Sequence, residues 1–136
     1  MNQMINWNFA PKTSSRGKNK EYELSVYYYP NKKSPSYAIQ VHTEAPTRIR
    51  KADVVTFGKL NDTLVITDSD QGASYHVHKY DNTSSVQING KDLCKSIVDH
   101  FGLSNKTNQI LRLKLDPIGD VNMRLWSISL HNYDSK

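Results

Sequence analysis

Apolar and polar residues alternate in short segments along most of this chain, and turn-forming residues separate one segment from the next. Because successive side chains of a β-strand point to opposite faces, this alternation predicts strands with one buried face and one wetter face. Glycine, proline, asparagine and aspartate at the interruptions favour tight turns. The chain is therefore predicted to form seven to nine short strands.

The strongest strand signal in the first half covers residues 22–29, in which every second residue belongs to one apolar face. A turn with two prolines at residues 30–35 follows, and residues 37–42 alternate again, so the two segments predict a β-hairpin with a basic turn. Residues 4–9 predict an earlier short strand, and the polar, basic stretch at residues 11–20 predicts a flexible loop.

The middle of the chain predicts a meander of strands after an ambiguous segment. Pro46 is suited to the first turn of a helix within residues 43–52, but this segment is too short to decide between helix and loop. Residues 54–57, 64–67 and 74–80 have strand character, and turns rich in Asn, Asp and Gly join them. Strands joined in this way are predicted to pair in chain order.

One clear amphipathic helix is predicted at residues 91–101. Its apolar side chains recur at the spacing of a single helical face. Asn89 is suited to the N-cap, and Gly102 to the position after the C-cap. The apolar stripe consists of Leu93, Cys94, Ile97, Val98 and Phe101.

The last part of the chain predicts further strands. Residues 85–88 predict a short strand, and residues 109–115 alternate. Residues 121–130 are apolar on both faces, which predicts either a central strand or a strand that crosses between packing layers. The whole pattern predicts a single α+β domain over residues 1–136. It is expected to be β-rich, built either as an antiparallel meander sheet or as a small, partly open barrel with one helix.

Charge is distributed unevenly along the chain. Up to Leu60, ten basic residues face four acidic ones, a balance of +6, whereas from Asn61 onward eight basic residues face nine acidic ones. A basic half joined to a nearly neutral half indicates a surface that faces a polyanion.

No catalytic signature accompanies this charge. His76 and His78 are spaced to share one face of a strand, and His42 could be a third ligand if its strand pairs nearby. However, no metal-binding motif and no carboxylate at a fixed offset supports a metal site. Cys94 lies on the apolar stripe of the helix, which favours a small buried side chain over a nucleophile. The sequence therefore predicts a protein that is not an enzyme and that uses no metal or cofactor.

The cysteine content and the hydropathy indicate a cytoplasmic protein. A single cysteine excludes an intrachain disulfide, and a reducing compartment is the default for such a chain. The first ten residues have neither the basic nor the apolar region of a signal peptide. No apolar run reaches the ~20 residues of a membrane span, so no membrane partner is expected.

The candidate binding residues combine tyrosines with basic side chains. Tyr27 and Tyr29 are predicted on the outer face of the first hairpin, where they can stack on bases while lysines and arginines follow the phosphates. The predicted nucleic-acid-binding residues are Lys18, Lys20, Tyr27, Tyr29, Lys32, Lys33, Arg48, Arg50 and Lys51. The prediction requires the basic side chains of the hairpin and of the Pro46 segment to form a shared patch.

The function predicted first is that of a small, non-enzymatic nucleic-acid-binding accessory protein, with a composition typical of phages and other mobile elements. The alternatives are a protein-interaction module, such as an inhibitor or adaptor acting on a host or phage protein, and a structural component. An exposed patch of Tyr27, Tyr29 and Tyr37 without basic neighbours would favour the protein partner. The sequence does not decide between DNA and RNA as the ligand, and it does not determine the oligomeric state.

Overall fold

The structure of the protein, a computed structural model, describes residues 22–79, 86–120, 122 and 124–135. Nine strands in these ranges belong to one sheet, in which every pairing is antiparallel. The strands are β1 (Leu24–Tyr29), β2 (Ser36–Val41), β3 (Val54–Leu60), β4 (Thr63–Thr67), β5 (Ser74–His76), β6 (His78–Lys79), β7 (Val86–Asn89), β8 (Gln109–Pro117) and β9 (Leu125–Ser135). The helices are α1 (Thr47–Lys51) and α2 (Lys91–His100). The strand predicted at residues 4–9 and the loop predicted at 11–20 lie outside the described residues.

The sheet curls into a nearly closed barrel. Its strand order is β5-β3-β4-β9-β8-β1-β2-β7-β6, so β5 and β6, which follow one another in the chain, form its two edges. Val77 alone separates these two strands, and its N–H donates to the carbonyl oxygen of Asp53 at 2.9 Å. The predicted β-rich α+β class is confirmed, and the barrel is the architecture that forms.

Alternate residues of the strands fill the barrel. In β1, Leu24, Val26 and Tyr28 point inward as the alternation predicted, and β8 contributes every second residue in the same way. Removal of these apolar side chains from water supplies the main driving force for folding. The largest fully enclosed apolar side chains are those of Leu24, Ile39, Ile49, Ile66, Ile88, Ile97, Leu111 and Leu113.

The two helices lie at opposite ends of the β1–β2 hairpin. α1 follows the end of β2 at Val41, and it buries Ile49 in the core. α2 follows the end of β7 at Asn89, which pairs with Ala38 close to the β1–β2 turn. Its buried residues are Leu93, Cys94, Ile97 and Val98.

Two hairpins form where the sequence predicted them, and the segment that the sequence left undecided contains a short helix. β1 and β2 pair over six residues, from Leu24 opposite Val41 to Tyr29 opposite Ser36. β3 and β4 pair around a turn at Asn61, whose φ of 58° lies in the left-handed region that asparagine tolerates. The ambiguous segment contains α1, with Pro46 as its N-cap residue.

The predicted meander is wrong in one pairing. β5 pairs with β3, where Ser74 lies opposite Thr56, and not with β4. β9 occupies the second edge of β4, and hydrogen bonds join the loop after β4 to β3. In this loop the Thr56 hydroxyl donates to the carbonyl oxygen of Ser69 at 2.7 Å and accepts from the N–H of Gln71 at 3.0 Å. The strand predicted at residues 74–80 is also divided, at Val77.

The predicted N-cap of α2 is also wrong. Gly90 is the N-cap residue. Asn89 is instead the last residue of β7, and its Oδ1 accepts a hydrogen bond from Gln87 Nε2 at 2.6 Å. Gly102 follows the C-cap with a φ of 73°, which confirms the predicted end of the helix.

The last strand is central, as predicted, because β9 lies between β4 and β8. It begins at Leu125 and continues to Ser135, whereas the prediction placed it at residues 121–130. Arg124, with a φ of 53°, interrupts the extended conformation immediately before it. Val121 and Met123 lie outside the described residues.

Candidate nucleic-acid interface

The outer surface of β1 carries two tyrosines side by side. Tyr27 and Tyr29 point outward because Val26 and Tyr28 alternate with them and face the core. Their ring centroids are 6.3 Å apart, and both side chains are partly exposed. The Tyr27 hydroxyl donates to Gln40 Oε1 on β2 at 3.0 Å, which fixes the direction of the ring. The predicted pair of outward tyrosines is therefore present on the sheet.

Lys32 lies against Tyr29, one of the two rings. Its Nζ is 4.3 Å from the centroid of the Tyr29 ring, within the range of a cation–π contact. Lys32 and Lys33 are both exposed in the β1–β2 turn. Asn31 anchors this turn, since its backbone N–H donates to Asn108 Oδ1 at 2.9 Å and its Nδ2 donates to the Lys106 carbonyl oxygen at 2.6 Å.

Arg112 adds a second cation that the sequence prediction missed. It lies on β8, the other neighbour of β1, and pairs in register with Ser25. Its Nη1 donates to Asn132 Oδ1 at 2.9 Å and is 2.8 Å from Asp134 Oδ2. The alternation at residues 109–115 already placed Arg112 on an outward face, but only the pairing of β8 with β1 brings it beside the tyrosines.

Burial and charge both act on this group of side chains. Partial burial raises the pKa of Tyr29, the nearby Tyr27 adds to the rise, and the Arg112 guanidinium opposes it. The hydrogen bond to Asp134 is the largest of the effects that raise the pKa of Arg112, and the same ion pair partly offsets the positive charge of the guanidinium. We call Tyr27, Tyr29, Lys32 and Arg112 the tyrosine face.

The basic residues of α1 lie elsewhere. Arg48 and Lys51 are exposed and Arg50 is half-buried, and all three belong to the last turn of the helix. The β1–β2 register places α1 at the far end of the hairpin from Lys32 and Lys33, a separation of roughly 20 Å over six residues. Among residues 22–79, the basic side chains of the hairpin turn and of α1 therefore form two separate groups, and these residues do not form the shared patch that the sequence prediction required. Lys18 and Lys20 lie outside the described residues.

The two strand histidines are exposed, and Val77 lies between them. Their ring centroids are 6.2 Å apart. In the part of the chain that the structure describes, no group of three or more His, Cys, Asp or Glu side chains could hold a metal ion.

A buried serine–histidine contact is a further feature that sequence reasoning missed. Ser25 Oγ lies 2.7 Å from His42 Nε2, and the two residues are only 2% and 7% exposed. Tyr22 packs edge-on against the His42 ring, with centroids 5.3 Å apart. Because the hydroxyl is enclosed, it is not presented to a substrate, and the contact satisfies two polar groups on the outer side of β1.

In comparisons with known proteins, no protein family matches the chain, and neither a curated protein nor a solved structure is significantly similar to it. Among the described residues, neither helix has the length and apolar character needed to cross a lipid bilayer.

Proposed function

We propose that the protein binds single-stranded nucleic acid, without base-specific recognition and without catalysis, through the tyrosine face. The observation that carries this proposal is the cation–π contact of Lys32 with Tyr29, whose ring lies beside that of Tyr27 on the outer surface of β1. Arg112, which is ion-paired with Asp134, also acts electrostatically on Tyr29. Aromatic rings on a sheet surface stack on bases of any sequence, and cations at their edge attract the phosphates. Because the described residues do not form the shared patch that the sequence prediction required, this proposal rests on the tyrosine face alone, and the basic α1 residues are not part of the binding surface.

The neighbours of the tyrosines favour nucleic acid over a protein partner. A protein-binding patch would present Tyr27, Tyr29 and Tyr37 without nearby cations. Instead Lys32 lies over Tyr29, and Lys91 Nζ is 5.9 Å from the Tyr37 ring. Tyr37 also packs against Tyr28 on the inner side of the hairpin, at a centroid distance of 5.4 Å, and so contributes nothing to the outer patch.

Replacement of both outward tyrosines tests the proposal. We expect Tyr27→Ala/Tyr29→Ala to weaken binding of a fluorescein-labelled oligonucleotide of about 15 nucleotides by at least about tenfold, because each stacked base contributes ~1–3 kcal/mol. Fluorescence anisotropy with DNA and with RNA measures the affinity. For the unmodified protein, two or three phosphate contacts predict about tenfold weaker binding between about 50 and 200 mM salt.

Two variants serve as controls. Tyr29→Phe retains the ring and is expected to retain binding. Tyr133→Ala removes an equally large side chain that is 46% exposed and pairs with the inward-facing Leu111, so its effect should stay within about twofold. Circular dichroism confirms that each variant is folded. Failure of both oligonucleotides to bind at about 50 mM salt, or equal binding by the double alanine variant, would contradict the proposal.

A further inference from the structure

Two adjoining cavities lie at the α1 end of the barrel, away from the tyrosine face. The first has a volume of about 510 Å³, and its lining includes Arg48, Lys51, Asp68 and Arg124. The second has a volume of about 290 Å³. Both are lined by Thr47, Arg48 and Arg124, so the two spaces meet at these side chains. Their sizes are those of small-molecule sites rather than of packing defects. We call them the cationic cavity and the apolar recess.

The cationic cavity has positive charge available for an anion. Among the described residues, neither Arg48 nor Lys51 takes part in an ion pair. The acidic Asp53, which also lines the cavity, lies 3.7 Å from Lys79 Nζ. An arginine and a lysine one helical turn apart can hold the oxygens of one phosphate group from two sides.

The buried carboxylate of Asp68 is a second, independent observation that indicates a ligand. Its side chain is only 2% exposed, and Arg124 donates twice to the same oxygen, Oδ2, from Nε at 3.0 Å and from Nη2 at 2.7 Å. The other oxygen, Oδ1, is buried and accepts no hydrogen bond in the described part of the chain. An enclosed carboxylate oxygen without a donor is costly, so a ligand that displaces the side chains around Oδ1 and supplies an N–H or O–H group would be stabilised here.

The backbone at this site is also strained. Arg124 has a φ of 53°, in the left-handed region that arginine rarely adopts. The Thr67 hydroxyl donates to its carbonyl oxygen at 2.8 Å, and Asp68 holds its guanidinium. Strain of this kind persists only where the surroundings enforce it, and it is concentrated at functional sites.

The apolar recess offers a surface for a flat ring. Pro46, Pro117, Leu125 and Trp126 line it together with the acidic Asp120, and it shares Thr47, Arg48 and Arg124 with the cationic cavity. Apolar and aromatic walls with a few polar groups at one end are typical of sites that bind an aromatic ligand with a charged group.

From these features we infer that the α1 end of the barrel is a binding site for a mononucleotide: a phosphate ester that carries a flat ring and a hydrogen-bond donor. Arg48 and Lys51 hold the phosphate, Asp68 Oδ1 accepts from a hydroxyl or amino group, and the ring occupies the apolar recess. This site is separate from the tyrosine face and does not depend on the binding of single strands.

Isothermal titration calorimetry with adenosine 5′-monophosphate, adenosine and inorganic phosphate tests this inference. The nucleotide is expected to bind at least about tenfold more tightly than either fragment, because only the nucleotide reaches both cavities. Arg48→Gln/Lys51→Gln should weaken nucleotide binding by at least about tenfold. The control Lys59→Gln/Lys95→Gln removes the same charge from exposed positions outside both cavities. It should change the affinity for the nucleotide by less than about twofold.

Several results would overturn the inference: no nucleotide binding at about 5 mM, phosphate binding as tight as that of the nucleotide, or unchanged binding by the Arg48/Lys51 variant. Loss of nucleotide binding in Tyr27→Ala/Tyr29→Ala would also overturn it, because the nucleotide would then bind at the tyrosine face. If both proposals hold, this tyrosine variant keeps nucleotide binding, and the Arg48/Lys51 variant keeps oligonucleotide binding. A shift of the Trp126 indole N–H signal on addition of nucleotide, seen by NMR, locates the ring.

Discussion

Ile49→Ala should lower the free energy of unfolding by about 2–5 kcal/mol, the range for a buried isoleucine truncated to alanine. Ile49 is fully enclosed, and it is the one buried residue of α1. A helix of five residues has no stability of its own in water, so this side chain is what holds α1 against the barrel. Urea denaturation followed by circular dichroism measures the loss.

Two further substitutions in α1 give losses of unfolding free energy with which that of Ile49→Ala can be compared. Ile49→Val removes a single methylene group and should cost about 0.5–1.5 kcal/mol. Thr47→Ala changes an exposed position of the same helix and should stay within about 0.5 kcal/mol. If Ile49→Ala cost no more than Thr47→Ala, α1 would not be packed on the core as described. An alanine variant that stays folded should also bind mononucleotide less tightly, because Arg48 and Lys51 belong to the same helix.

Local patterns were enough to predict most of the elements. The alternation in β1 and in β8, and the apolar stripe of α2, each follow from which residues share one face of a strand or helix. The burial of Leu24, Val26 and Cys94 matches those patterns. Periodicity within a segment depends on that segment alone, so it can be interpreted without knowing its neighbours.

Strand pairing could not be predicted in the same way. β5 lies against β3 because β9, from the far end of the chain, occupies the other edge of β4. Only Val77 separates β5 and β6, the two edge strands of the nearly closed barrel, and its sequence neighbourhood resembles the middle of a single strand. Pairings of this kind are decided by tertiary packing, and a prediction that joins consecutive strands misses them.

The candidate sites show the same division between local and distant information. The outward direction of Tyr27 and Tyr29 follows from alternation, whereas Arg112 reaches them only through the pairing of β1 with β8. The contact of Arg124 with Asp68 joins residues that are 56 positions apart. The uneven charge along the sequence shows that basic residues are concentrated in its first half, but it carries no information about the placement of Lys32 and Lys33 at one end of the hairpin and of the α1 residues at the other.

The second large effect is expected at Cys94 in alkaline solution. Its side chain is fully buried on α2, and burial raises the pKa of the thiol from 9.0 to about 12. Between these two pH values the folded protein keeps the thiol proton while the unfolded chain releases it, so unfolding is coupled to proton loss. The free energy of unfolding contributed by this group therefore falls as the pH rises above about 9, by about 1.4 kcal/mol per pH unit.

Comparison with Cys94→Ala isolates this effect, since tyrosines and lysines titrate in the same range in both proteins. The stability of the natural protein relative to the alanine variant should fall by about 2–3 kcal/mol between pH 8 and pH 11, and it should be constant below about pH 8. Urea denaturation of both proteins at each pH measures the difference. A difference that does not change across this range would mean that the thiol is open to water, and the packing of α2 on the barrel through Cys94 would have to be rejected.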